Sequence, residues 1–229
     1  MSRSAAAKPI FDITPFTILD FTGYLACIAW FAKCNMRCPY CYNPHIVLGE
    51  GSIDTDELLS FLHSRVGRLE GVVLSGGECT LYPELHNLCR DIKELGFKVK
   101  IDTNGSRPDT LRVLAEEKLI DCVALDFKAP LPLFKATTRC DLYDKTLQSL
   151  RFLIQSGINF EVRTTVHTDL LNENAINSIV DILSNENYNG TYYLQNYLHA
   201  EKTLGDMQQS SKTLNKELLS DKIRVEFRR

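Results

Sequence analysis

Residues 34–44 read CNMRCPYCYNP, which places Cys34, Cys38 and Cys41 in one short loop at x3 and x2 spacing. Thiols this close together point to a metal. Structural zinc takes four ligands, commonly as two separated pairs with C-x2-C as one of them. No second pair follows here. A thiolate-held iron–sulfur cluster also normally has four cysteines. With three, one iron of a [4Fe–4S] cube stays open to another ligand. The spacing favours a cluster, with zinc as the alternative. The other cysteines (Cys27, Cys79, Cys89, Cys122 and Cys140) are scattered and read as small core residues.

Further polar groups recur in phase with the chain. Apolar β-type runs at 25–31, 71–75, 97–101, 121–125, 158–166 and 191–197 alternate with polar turns. The first leads into the cysteine loop. The second ends in Ser75-Gly76-Gly77-Glu78, the third in Asp102-Thr103-Asn104-Gly105, and the fourth in Asp126-Phe127-Lys128. The fifth carries Arg163 and Thr165 and is followed by His167, and the sixth holds Gln195 and Asn196. In parallel α/β folds the loops at the carboxyl ends of the strands form the active site. Six strands that deliver chemistry to the same end predict a site there.

Helical patterns separate these runs. A DTDE box caps a helix from Asp54, another is expected from Pro83 to Gly96, and others over 108–118, from 142 to Gly157, and over 172–184. A longer irregular connection is expected after the run at 121–125. The rhythm predicts parallel βα units with right-handed crossovers. Six such units either close partly into a barrel or lie open as a doubly wound sheet, and the pattern alone fits both. The tail from about 200 reads as polar and weakly helical, with a last strand in KIRVEF. Residues 1–200 are expected to form one domain, with 201–229 packing on it or extending it.

The 229 residues, 44% hydrophobic, suffice for one sizeable core. A net charge of -3 and a pI near 6.0 speak against a nucleic-acid-binding role. No apolar run reaches the 18 or so residues of a membrane span. The N-terminal MSRSAAAKPIFD lacks the long apolar core of a secretory signal, so the expected location is cytoplasmic. That compartment is reducing, which argues against disulfides.

The cysteine spacing, with aromatic Tyr40 before the last cysteine, resembles the radical S-adenosylmethionine (SAM) signature. Gly76-Gly77-Glu78 falls where that superfamily has its methionine-binding segment. The resemblance implies an α/β partial (β/α)6 TIM-like barrel of parallel strands, with the site at their C-terminal ends. It implies one [4Fe–4S] cluster on Cys34, Cys38 and Cys41, with SAM chelating the open iron. Reductive cleavage of SAM would then yield methionine and a 5′-deoxyadenosyl radical. Tyr40, Gly76, Gly77 and Glu78 would border the cofactor, the glycines letting the backbone approach a ligand and the glutamate accepting from an ammonium.

IDTNG at 101–105 and LDFK at 125–128 are similar to segments of glycyl-radical-enzyme activases. That likeness implies SAM contacts from Asp102, Asn104, Asp126 and Lys128, and a monovalent cation on Asp102, Thr103 and Asp126. Taken without it, these residues read as a solvated loop acid and a surface ion pair. Arg163 matches a strand-five arginine of the activases and reads equally as a structural arginine; Gln195 or Asn196 stands in for a nearby histidine.

The segment FTILDFTGYLACIAWFAKCNMRCPYCYNPHIV resembles anaerobic ribonucleoside-triphosphate reductase activating proteins, a likeness running over about 16–197. It implies that reductase as protein substrate and a flavodoxin- or ferredoxin-type reductant. Three departures stand out. Tyr42 replaces a frequent histidine, Cys79 a usual proline, and strand five lacks the glycine-containing adenine motif. His45 reads as structural. The rival readings are activation of another glycyl radical enzyme, action on a small molecule, or a zinc or Fe–S binding module without catalysis.

Overall fold

In the computed structural model, which describes residues 8–228, the six apolar runs form strands and five predicted helices form between them. Residues 1–7, on which part of the N-terminal reading rests, lie outside the described residues. In chain order the elements are β1 (Ile10–Thr17), β2 (Ala26–Phe31), α1 (Pro44–Leu48), α2 (Thr55–His63), β3 (Gly71–Gly76), α3 (Leu85–Glu94), β4 (Lys98–Thr103), α4 (Pro108–Glu116), β5 (Cys122–Asp126), α5 (Leu131–Thr138), α6 (Tyr143–Ser156), β6 (Asn159–Val166), α7 (Glu173–Asn185), β7 (Tyr192–Asn196) and β8 (Val225–Arg228).

Local chemistry sets the boundaries. The Asp54 carboxylate accepts from the Glu57 amide while Glu57 reaches back to the Asp54 amide, a capping box that opens α2. Asn172 caps α7 through the Ala175 amide. α3 buries Leu85, Leu88, Cys89 and Ile92, one face at helical spacing.

Two compact units make up the chain. The first comprises Met1–Cys34, His45–Asp102 and Thr110–Cys122; the second comprises Asn35–Pro44, Thr103–Asp109 and Val123–Arg229. In the first, β1 pairs antiparallel with β2, and β2, β3 and β4 run parallel in sequence order. In the second, β5 to β8 also follow sequence order, with β6, β7 and β8 parallel. Neither order contains the reversal that defines a doubly wound sheet, so the progression is of the barrel type. The two cores are aliphatic: Val72, Val73, Leu74, Val99 and Ile101 are buried in one, and Leu125, Leu150, Val162, Ile176 and Leu194 in the other.

Three elements depart from the sequence reading. β1 was not expected; its pairing with β2 is irregular between Thr14 and Thr17, where Pro15 lacks a ladder donor. α5 replaces the irregular connection: Pro130 and Pro132 look like helix breakers but stand at its N-terminus, where no amide is needed. The tail is not helical beyond one 3-10 turn, Lys216–Leu218. KIRVEF does supply β8. Among the described residues no helix is long and apolar enough to cross a membrane.

Candidate functional site

In the first unit the end of β2 meets the turn after β3. Lys33 adopts a left-handed φ of 70°, and its amide donates to Ile46 O at 2.9 Å. The Gly77 amide donates to Phe31 O (2.8 Å) and the Glu78 amide to Lys33 O (2.9 Å). A Cβ on Gly76 would lie 2.4 Å from Phe31 N and O, and one on Gly77 2.0 Å from Lys33 O and 3.2 Å from Cys34 N. The two glycines are therefore required by the backbone that leads into Cys34, a reason the sequence alone did not supply. Glu78 is buried and its carboxylate accepts from the Thr80 amide and hydroxyl. Cys79 is fully buried; desolvation pushes its thiol well above the ordinary range, and it donates to Leu74 O. It is a core thiol. His45 packs its ring 5.3 Å from that of Phe11, in keeping with a structural role.

Asp102 ends β4 in this unit, with Lys100 two residues earlier on the same face. Lys100 Nζ pairs with Asp102 Oδ1 at 2.8 Å, and Ser75 Oγ donates to Oδ2 at 3.2 Å. Lys100 was overlooked in the sequence, although a lysine at i−2 to a candidate acid was a usable signal.

The second unit holds most of the cysteine loop. Asn35 donates to Ser106 Oγ (2.8 Å), Asn104 donates to Asn35 Oδ1 (2.9 Å), and Asn104 Oδ1 accepts from the Ser106 amide. Asn104 thus clamps the loop. The Thr103 hydroxyl accepts from the Gly105 amide. The Arg37 amide donates to Thr138 O, at the end of α5, and the Cys41 amide to Cys38 O at 3.0 Å, closing a turn. From the tail, the Leu204 amide donates to Cys41 O and the Gly205 amide to Pro39 O. A Cβ on Gly205 would meet Pro39 Cβ at 2.7 Å. Tyr42 stacks on Tyr197 at 5.4 Å, and its hydroxyl accepts from the Leu198 amide. The tail then runs past His167, whose Nε2 faces Gln208 O at 2.9 Å, and Asn215 and Ser220 donate amides to side chains of α7. None of these long-range bonds was visible in the sequence.

None of the eight cysteines, all of them among the described residues, forms a disulfide. Cys38 is buried, and burial pushes its thiol up to about 11, opposed by the Lys128 ammonium. The buried Tyr40 hydroxyl lies beside the Cys38 sulfur. Lys128 Nζ is 3.0 Å from Asp126 Oδ2, and Arg163 Nε is 2.5 Å from Asp126 Oδ1. Burial alone would raise the Asp126 carboxyl; Arg163 and Lys128 hold it well below the usual carboxylate range. Burial would likewise lower Lys128, but Asp126 and Cys38 raise it. Gln195 stands half-buried on β7 in register with Thr165 and Arg228. The structure thus joins Cys38, Tyr40, Asp126, Lys128 and Arg163 in one unit, and Gly76, Gly77 and Glu78 with the backbone before Cys34 in the other. Among the described residues, no three His, Cys, Asp or Glu side chains gather around a single metal ion.

Because the Asp126 carboxyl is depressed in the folded state, its contribution to stability is complete above the unfolded value of about 3.9 and is lost as pH falls below it. Asp126→Asn leaves Lys128 and Arg163 without their anion. It is expected to cost about 3 kcal/mol at neutral pH and to flatten the acid limb of the stability profile, read by urea unfolding between pH 3 and pH 7.

Residues 28–183 match the description Radical SAM superfamily. A Methanocaldococcus jannaschii protein provisionally named a glycyl-radical enzyme activating enzyme is 30% identical over 177 residues, 73% of this chain and 72% of its own. A second protein of that organism with the same kind of name is 25% identical over 96% of this chain and 88% of its own length. Among solved structures, Streptococcus suis SuiB bound to S-adenosylmethionine superposes with a TM-score of 0.64 at 18% identity, over 80% of this chain. This chain spans 44% of that protein's length. The likeness establishes the fold class, the partial TIM-like barrel of parallel βα units. The similarity extends to activases; it does not single out the ribonucleotide reductase branch.

Proposed function

The chain belongs to the radical SAM superfamily, and on that premise we propose that it is a cytoplasmic activase that installs a glycyl radical on an anaerobic ribonucleoside-triphosphate reductase. The observation that carries the reading is a loop with three cysteines outside any disulfide, two of them held in one turn and one of these, Cys38, beside the Lys128 ammonium. Three thiols in one loop fit a [4Fe–4S] cluster, and the Lys128 ammonium opposes the rise that burial imposes on the Cys38 thiol. Cys34, Cys38 and Cys41 would hold that cluster. Bound there with SAM, and reduced by a flavodoxin- or ferredoxin-type protein, it would supply one-electron cleavage of the sulfonium, the chemistry that hydrogen-atom abstraction from a backbone glycine of the reductase requires.

The protein's own residues bind and orient. Glu78 offers a carboxylate to the SAM ammonium. Lys128, already raised by Asp126, offers a fixed cation to its carboxylate, and Arg163 holds Asp126 in place for the ribose. Asn104 fixes the cysteine loop through Asn35. Gln195 and Tyr40 would border the adenine side. No general acid or base is needed for the hydrogen-atom step.

The test uses anaerobically reconstituted protein, dithionite, SAM and an anaerobic reductase with a glycine-radical segment. A glycyl radical in the electron paramagnetic resonance spectrum of the reductase, with one 5′-deoxyadenosine per radical, is the expected result. Product without a radical on the reductase would reject this partner and leave another glycyl radical enzyme or a small molecule. No 5′-deoxyadenosine at all, with zinc in the purified protein, would reject the enzyme.

A further inference from the structure

The carboxylates that the resemblance assigns to a monovalent cation are both already paired. Asp102 is matched by Lys100 at 2.8 Å, with side chains only 9% and 5% exposed. Asp126 is matched by Lys128 and Arg163 together. The Thr103 hydroxyl accepts from the Gly105 amide. These residues do not fit a second cation. A buried carboxylate needs one neutralising partner, and each has it within its own unit. A potassium ion brought to Asp102 would face the Lys100 ammonium at close range, where Coulomb repulsion is largest because water is excluded. At Asp126 the local balance is already positive.

We propose that Lys100 is a built-in replacement for the monovalent cation: a positioning residue that neutralises Asp102 and makes SAM binding independent of potassium and sodium. Its link to SAM rests on the functional reading above. The geometry is specific. Residues two apart on a strand share a face, so only position 100 or a neighbouring strand can present an ammonium to Asp102. Val73 is the β3 partner of Lys100 and offers no charge, while Ser75 supplies a hydroxyl to the second carboxylate oxygen. A fixed ammonium also removes the need to capture and desolvate an ion at each binding event.

The experiment compares potassium chloride with tetramethylammonium chloride, too large an ion for such a site, at constant ionic strength. For the reconstituted wild-type protein, SAM affinity and thermal midpoint are expected to be equal in the two salts. For Lys100→Met, SAM affinity in tetramethylammonium should fall on the order of tenfold, the worth of a charge-assisted bond, and recover with potassium. Lys100→Arg should stay indifferent to the salt. Wild-type affinity that rises with potassium, or a Lys100→Met protein blind to the salt, would overturn the proposal.

If Lys100→Met does not fold in tetramethylammonium, folding restored by potassium supports the proposal and a failure in both salts is resolved by the charge-free Lys100→Met, Asp102→Asn pair. That pair should fold and ignore the salt; a potassium response in it would overturn the assignment. The thermal comparison needs no SAM. Should the wild type bind no SAM in either salt, the functional reading falls, while a potassium-raised midpoint confined to Lys100→Met still upholds the internal pairing, and its absence rejects it.

Discussion

Cys38→Ala is expected to eliminate SAM cleavage while leaving the chain folded. The substitution removes one sulfur atom from a buried turn whose backbone is held independently, by the Cys41 amide on Cys38 O, by Leu204 and Gly205, and by the Asn35–Asn104 clamp. Loss of outer-shell partners at metal sites typically costs about 10–100-fold, and loss of a ligand should cost more. Iron content after anaerobic reconstitution should drop with the activity. Cys89→Ala is the control: its thiol is buried in α3 and pushed up to about 12 by desolvation, the behaviour of a core residue rather than a ligand. Equal iron and equal 5′-deoxyadenosine yield in Cys38→Ala and wild type would remove the cysteine loop from the chemistry.

Gly77→Ala carries a large expected structural penalty. Its Cβ would fall 2.0 Å from Lys33 O and 2.6 Å from Lys33 C, both backbone atoms. Neither side can yield cheaply, because Gly77 and Glu78 each donate an amide to that same stretch of β2 and its exit. A cost of about 3 kcal/mol or more follows from overpacking against rigid backbone. Gly96→Ala provides the comparison: Gly96 has a positive φ of 89° but nothing within 4 Å of a Cβ, so it bears only the conformational cost of about 1–2 kcal/mol. Denaturant unfolding of the two variants checks the difference. Equal losses would show that Gly77 is needed for its flexibility and not for the close approach.

Much of this protein was legible along the chain. The βα rhythm, the capping box at Asp54 and the cap at Asn172 rest on interactions within a few residues, so sequence spacing suffices to find them. The cysteine triplet and Gly76-Gly77-Glu78 were legible as a pair because two uncommon motifs fell at the ends of successive parallel strands. β1 was hidden by Pro15, which breaks the regular ladder, and α5 by two prolines that read as breakers yet occupy positions where a missing amide costs nothing.

The amino-acid sequence alone determined which residues can do chemistry and that parallel strands carry them to one end, since residue type and period are properties of the chain. Only the tertiary structure decided how those residues are employed. Asp126 is shared by Lys128 and Arg163, 37 residues apart in the case of Arg163. Asn104 serves the cysteine loop from 69 residues away. The tail reaches back to fasten Pro39 and Cys41. Each depends on which segments become neighbours, and the pairing of buried charges is settled by the loss of water around them rather than by any local pattern.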